Sequence, residues 1–182
     1  MSDNLWGPLG GLIGVWKGDK GKDVAPSDDR GVEKNSFHEV IRFEGIGPVN
    51  NHEQMMYGLR YSTTATRIGE AAPFHEELGY WLWDFKTRQV MRCFMVPRGV
   101  TVIAGGTVEP HATKFTLKAT LGSPTYGICS NQYLDLEFKT VAYTLTVTVS
   151  QDTFEYEEDT VIQIKGQKEP FHHTDANRLT RA

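Results

Sequence analysis

Two groups of side chains in this sequence have a spacing that could do chemistry. His172-His173-Thr174-Asp175 sets two imidazoles side by side near the carboxy terminus, and His75 stands two residues before Glu77. In an extended strand successive side chains point to opposite faces, so His75 and Glu77 share a face, His172 points with Thr174, and His173 points the other way. An imidazole beside a carboxylate is an oriented base, or a histidine whose charged form is favoured. A neutral imidazole is also a metal ligand. The plainer alternatives are a hydrogen-bonded polar cluster for His172 and His173, and a strand-entry contact for His75. Cys93 and Cys129 lack Cys-x-x-Cys spacing and read as reduced bystanders. No Ser-His-Asp order, Gly-rich phosphate loop or zinc-type Cys/His spacing opens another class of chemistry.

The elements that would carry these residues are strands. Val141 to Val149 puts Tyr143, Leu145, Val147 and Val149 on one face and three threonines on the other, the pattern of a half-buried strand. Gln151-Asp152 then reads as a turn into residues 153–157. Similar runs occupy 36–44, 52–61, 77–85, 89–96, 99–109, 113–120, 159–165 and 171–181. Short strands at regular intervals with little helix between them predict an all-β sandwich or a closed antiparallel up-and-down barrel. Residues 5–13 and 124–131 read as short helical segments, and 19–35 as a long polar loop.

With 182 residues, 39% hydrophobic and 23% charged, the chain has the size and composition of one globular domain over 1–182. A net charge of −4 and a pI near 5.9 argue against a nucleic-acid partner. The amino terminus shows no leader pattern and no apolar run reaches membrane-spanning length, so a soluble, cytoplasmic protein without a membrane partner is expected. The segment Tyr80-Trp81-Leu82-Trp83-Asp84-Phe85 is apolar on both faces. One face fills the interior; the other calls for a cover, either a second copy in a homodimer or the amino-terminal segment with Leu5, Trp6 and Leu9.

Three segments in order carry a resemblance. Gly14-Val15-Trp16-Lys17-Gly18 near the start, Pro73-Phe74-His75-Glu76-Glu77-Leu78-Gly79-Tyr80, and Pro97-Arg98-Gly99 with Gly106-Thr107 together resemble the nitrobindin family, from about residue 9 onwards. The resemblance implies a fatty-acid-binding-protein-like barrel of about ten strands that holds haem b on one histidine of the last strand. Set against that strand without a gap, Thr174 falls at the ligand position, and threonine is not a haem-iron ligand. His172 and His173 stay open as substitutes, the latter through a bulge or a slip of register. The resemblance also sets His75 beside the ligand pocket. In the wider lipocalin-like class the first-strand Trp is covered by a last-strand Arg, which makes Arg181, with Arg178 as the alternative, the partner of Trp16.

The expected function is a small-ligand-binding barrel that holds a hydrophobic ligand, with haem b as the candidate cofactor. His75, His172, His173, Thr174, Met91 and Phe94 are the candidate ligand-binding residues, within a Met- and aromatic-rich set that includes Met55, Met56, Tyr57 and Met95. Two alternatives stand beside it. The family resemblance allows a haem enzyme acting on nitric oxide or peroxynitrite, and the barrel type allows a fatty-acid carrier. Against the carrier, the last strand offers Arg178-Leu179-Thr180-Arg181 without the Arg-x-Tyr clamp those proteins share.

Overall fold

The computed structural model describes residues 5–182; of the single domain expected over 1–182, residues 1–4 lie outside the described part. A short 3-10 helix, Gly7–Leu12, leads into eleven strands: β1 (Gly14–Pro26), β2 (Val32–Asn51), β3 (Gln54–Arg67), β4 (His75–Asp84), β5 (Gln89–Val96), β6 (Val100–Thr107), β7 (Lys114–Thr120), β8 (Ile128–Ser130), β9 (Phe138–Val149), β10 (Thr153–Ile164) and β11 (Phe171–Arg181). The sheet order is β5-β4-β3-β2-β1-β11-β10-β9-β7-β6, closed by pairing of β6 with β5, so ten antiparallel strands form a barrel and β8 lies along β6. Closure leaves no long edge exposed to pair with another chain.

Strand alternation decides what faces inward. In β9, Tyr143, Leu145, Val147 and Val149 are buried while the threonines between them face out, as their period of two dictates. One end of the barrel is shut. Leu9, Leu12 and Trp16 are fully buried there, and the Trp16 indole donates to the Leu12 carbonyl at 2.7 Å. Arg181, not Arg178, lies over the Trp16 ring at 4.2 Å. Its guanidinium also donates to the carbonyls of Ile13, Gly11 and Gln151, a closure that φ of +132° at Gly14 accommodates.

Three local expectations give way. Residues 19–35 are strand on both sides of a short tip at 27–31, because β1 and β2 continue pairing from Gly21↔Phe37 to Pro26↔Val32 beyond a bulge. Polar residues fill this stretch because its inward face is itself polar. The segments 153–157 and 159–165 merge into β10, since Glu158 continues the inward face rather than breaking it. Within 124–131, Ile128–Ser130 is strand, and the helical turn falls later, at α1 (Gln132–Glu137), capped by the Asn131 side chain on the Leu134 amide.

Candidate functional site

The interior divides into an apolar half at the shut end and a polar half toward the mouth formed by the starts of β2, β4, β6, β9 and β11. In the apolar half, Phe43 packs on Tyr61, Trp81 and Phe154, and Phe154 meets Trp16 edge-on. Above it, Arg92 projects inward between Val90 and Phe94 and is 7% exposed. It is ion-paired with Glu77, and with Glu158 at 2.7 Å. It hydrogen-bonds the hydroxyls of Tyr61 and Tyr143 and lies 4.3 Å from the Phe94 ring centre. Burial would raise the Glu77 carboxyl, but Arg92 and His75 outweigh it and hold the group below its ordinary value. The Tyr61, Tyr143 and Tyr156 hydroxyls are pushed well up by burial, so they remain donors.

Glu39 forms a second buried centre. Its carboxyl accepts from Thr63, Tyr156 and Asn177, each at 2.9 Å, and burial raises its pKa despite those three bonds. Between the two centres, register places three acids in a row: Asp23 on β1 opposes Asp175 on β11, which opposes Glu158 on β10. Asp23 bonds His173 and Asn35, and Glu158 bonds Arg92 and Tyr143. The Asp175 side chain has no hydrogen-bond or ion-pair partner among the described residues. Burial first, then the charges of Glu158, Glu39 and Asp23, push its pKa well above the usual carboxylate range.

At the mouth, His173 faces inward with Asp175, Asn177 and Leu179, opposite Thr160. Its Nε2 lies 2.8 Å from Asp23 Oδ1, with the imidazole side chain 26% exposed and Asp23 4%. Asn35 braces the other Asp23 oxygen at 2.8 Å, and Arg67 in turn holds Asn35 at 3.0 Å. His75 enters from β4, four strands away along the sheet order β4-β3-β2-β1-β11. It lies 3.8 Å from Glu77 and 3.4 Å from Arg98. Gly79 is the glycine of the His75-containing motif, and a Cβ there would fall 2.0 Å from the Cys93 carbonyl oxygen, so only Gly lets β4 approach β5 where Arg92 enters.

Other candidate residues lie elsewhere. His172 and Thr174 are on the outer face, where His172 pairs with Asp159 at 2.8 Å. The alternation that puts His173 inside puts both of them outside, so Thr174 does not face the interior. Met91 opposes Leu82 on the outer wall, and Met95 is 58% exposed; on β5, Phe94 is the candidate that faces inside. Of the inward acids, Glu77 was singled out from sequence as the partner of His75; Asp23, Glu39, Glu158, Arg92 and the tyrosines were not. Their signal was a charged residue in phase with buried apolar ones, as in Val90-Arg92-Phe94 and Phe37-Glu39-Ile41. No group of three or more His, Cys, Asp and Glu among the described residues is arranged to hold a bare metal ion.

Solved structures share this architecture. The crystal structure of Rv2717c from M. tuberculosis superposes with a TM-score of 0.67 at 18% identity, covering 96% of this chain and 94% of that one. The S-type phycobiliprotein lyase CPES from Guillardia theta does so at 0.51 and 9% identity, covering 94% and 89%. At these identities the likeness speaks for the fold alone. A search of curated proteins found no match. The model of one family, the THAP4-like, heme-binding beta-barrel domain, matches residues 6–181. With its fold, its mouth and nearly its whole length accounted for, the chain belongs to the THAP4-like haem-binding β-barrels and is a ligand-binding barrel protein.

Proposed function

We propose that the barrel takes haem b at its mouth, with His173 as the iron ligand. The observation that carries this reading is the orientation of His173: it is the imidazole of the last strand that faces inward, which frees the ligand role from Thr174 and from His172 on the outer wall. The surroundings fit the group. Phe94, Val96 and Val100 supply apolar surface at the mouth end of β5 and β6, and His75 enters from a wall four strands away. Haem would bring a Lewis-acidic ferric centre with redox chemistry. His173 would hold it, Asp23 keeps the imidazole stationed at the mouth beforehand, and the apolar rim would exclude water. The carrier reading is disfavoured, because an anionic carboxylate entering the mouth would face Asp23, Glu77, Glu158 and Asp175 while Arg92 is already paired.

Hemin titration tests this. A shifted Soret band in the wild type that persists in His172→Ala and disappears in His173→Ala is the expected result. A band unaffected by His173→Ala refutes the assignment, and no spectral change at stoichiometric hemin refutes haem altogether.

The outer wall suggests a homodimer. Cross-strand pairs Leu78↔Met95, Tyr80↔Cys93 and Leu82↔Met91 run on to Ile103, and Leu78, Met95, Tyr80 and Ile103 are 66%, 58%, 45% and 40% exposed. Trp81 and Trp83 point inward, and the amino-terminal segment meets the shut end, where Gly7 lies against Trp83. Among the described residues neither covers this wall, and a second copy would.

A further inference from the structure

We infer that Asp23 is a latch on His173, a positioning residue that withholds the imidazole until a ligand displaces it. The inference rests on His173 being the iron ligand. Asp23 is nearly fully buried, and its two carboxyl oxygens are engaged by His173 Nε2 and by the Asn35 side-chain amide, each at 2.8 Å. An ionised carboxylate only accepts, so the nitrogen facing it, Nε2, carries the hydrogen. In a neutral imidazole the lone pair is then on Nδ1, beside the ring's own Cβ, where the side chain crowds any approach. The nitrogen suited to iron is the one committed to Asp23.

The latch is built across the barrel rather than left to one contact. Asn35 on β2 braces Asp23, Arg67 on β3 braces Asn35 and also pairs with Glu33, and the Arg67 guanidinium lies 4.6 Å from the Phe74 ring centre. Phe74 adjoins His75 at 6.5 Å between ring centres, so the chain of contacts from His173 ends beside the imidazole of the opposing wall. The extended part of the β1–β2 hairpin, residues 19–35, supplies both Asp23 and Asn35. That stretch is polar because these side chains face the mouth, where they hold a histidine.

Binding iron through Nε2 requires the bond to Asp23 to break and the proton on Nε2 to leave to solvent or move to Nδ1. A side chain at position 23 that cannot accept should therefore speed hemin binding. In Asp23→Leu, which keeps the same branched skeleton and has no acceptor, the His173-dependent association rate and affinity for hemin should rise by about tenfold, as expected for loss of a charge-assisted hydrogen bond. Asp23→Asn keeps a weaker acceptor and should fall between; it also serves if the leucine variant folds poorly. In the iron-free protein, ring-nitrogen NMR should show His173 as the Nε2–H tautomer in the wild type, with that bias lost in Asp23→Leu. A role limited to stability would lower the melting temperature of Asp23→Leu without raising its hemin association rate. Unchanged or weaker hemin binding in both variants, still abolished by His173→Ala, overturns the latch and leaves the haem site standing. Hemin spectra indifferent to His173 in every background overturn the site and the latch together.

Discussion

Replacing Arg92 by Met tests whether the polar interior is held by one cation. The guanidinium neutralises Glu77 and Glu158 while almost wholly buried, with Glu77 at 4% exposure. Methionine keeps much of the volume and removes the charge, leaving two enclosed carboxylates facing each other. Breaking a buried pair in this way costs about 3–5 kcal/mol, a large share of the roughly 5–15 kcal/mol that stabilises a domain, and should lower Tm by about 6–20 °C in a chain of this size. The cost should depend on pH. In the wild type Glu77 sits below its ordinary value, so it stabilises the fold above that value and loses the contribution as pH falls. Without Arg92, burial dominates and the sign reverses: stability is lost as pH rises through the raised value. Urea unfolding of both proteins at pH 5 and pH 7.5 should show the larger difference at pH 7.5. Adding Glu77→Gln and Glu158→Gln to Arg92→Met should recover at least half of the loss, since neutral side chains need no counter-charge. A cost below about 1 kcal/mol, or one equal at both pH values, would refute the idea that Arg92 is the keystone of this network.

Asp175→Asn should stabilise the iron-free protein at neutral pH by about 0.5–2 kcal/mol, relieving two like-charge pairs with Asp23 and Glu158. Because the folded pKa of Asp175 is raised, its wild-type contribution is greatest below the ordinary carboxylate value and is lost as pH rises through the folded one. Thermal melts of the variant should therefore fall less steeply between pH 4 and 8, and a variant less stable at pH 7.5 would contradict this. For the outer wall, Leu78→Lys with Met95→Lys should shift the wild type from dimer to monomer by analytical ultracentrifugation while leaving the His173-dependent hemin spectrum in place; a monomeric wild type would end the dimer reading.

Much of the fold was legible because a barrel is written in a period of two. Tyr143 to Val149 shows its inward face in the sequence alone, the Trp16 segment marked the closed end, and the motif around His75 and Gly79 pointed to the family to which the chain belongs. Where the pattern failed, it failed for one reason. Residues 19–35 read as a loop because their inward positions are Gly21, Asp23 and Asn35, and a strand whose buried face is polar lacks the alternation by which strands are recognised. Met91 was placed with Phe94 as a pocket residue by residue type, although an odd offset sets them on opposite faces.

Strand geometry already requires, from the order of residues, that His172 and His173 point oppositely and that His75 and Glu77 point together, and the succession of alternating runs requires a sheet of short antiparallel strands. Three other facts come from the closed barrel. His173 rather than His172 faces inside; Asp23, separated from it by most of the chain, meets its Nε2; and Asp175 falls between two other acids. Register across β1, β11 and β10 is set by how all ten strands close the ring, and no local pattern carries that information.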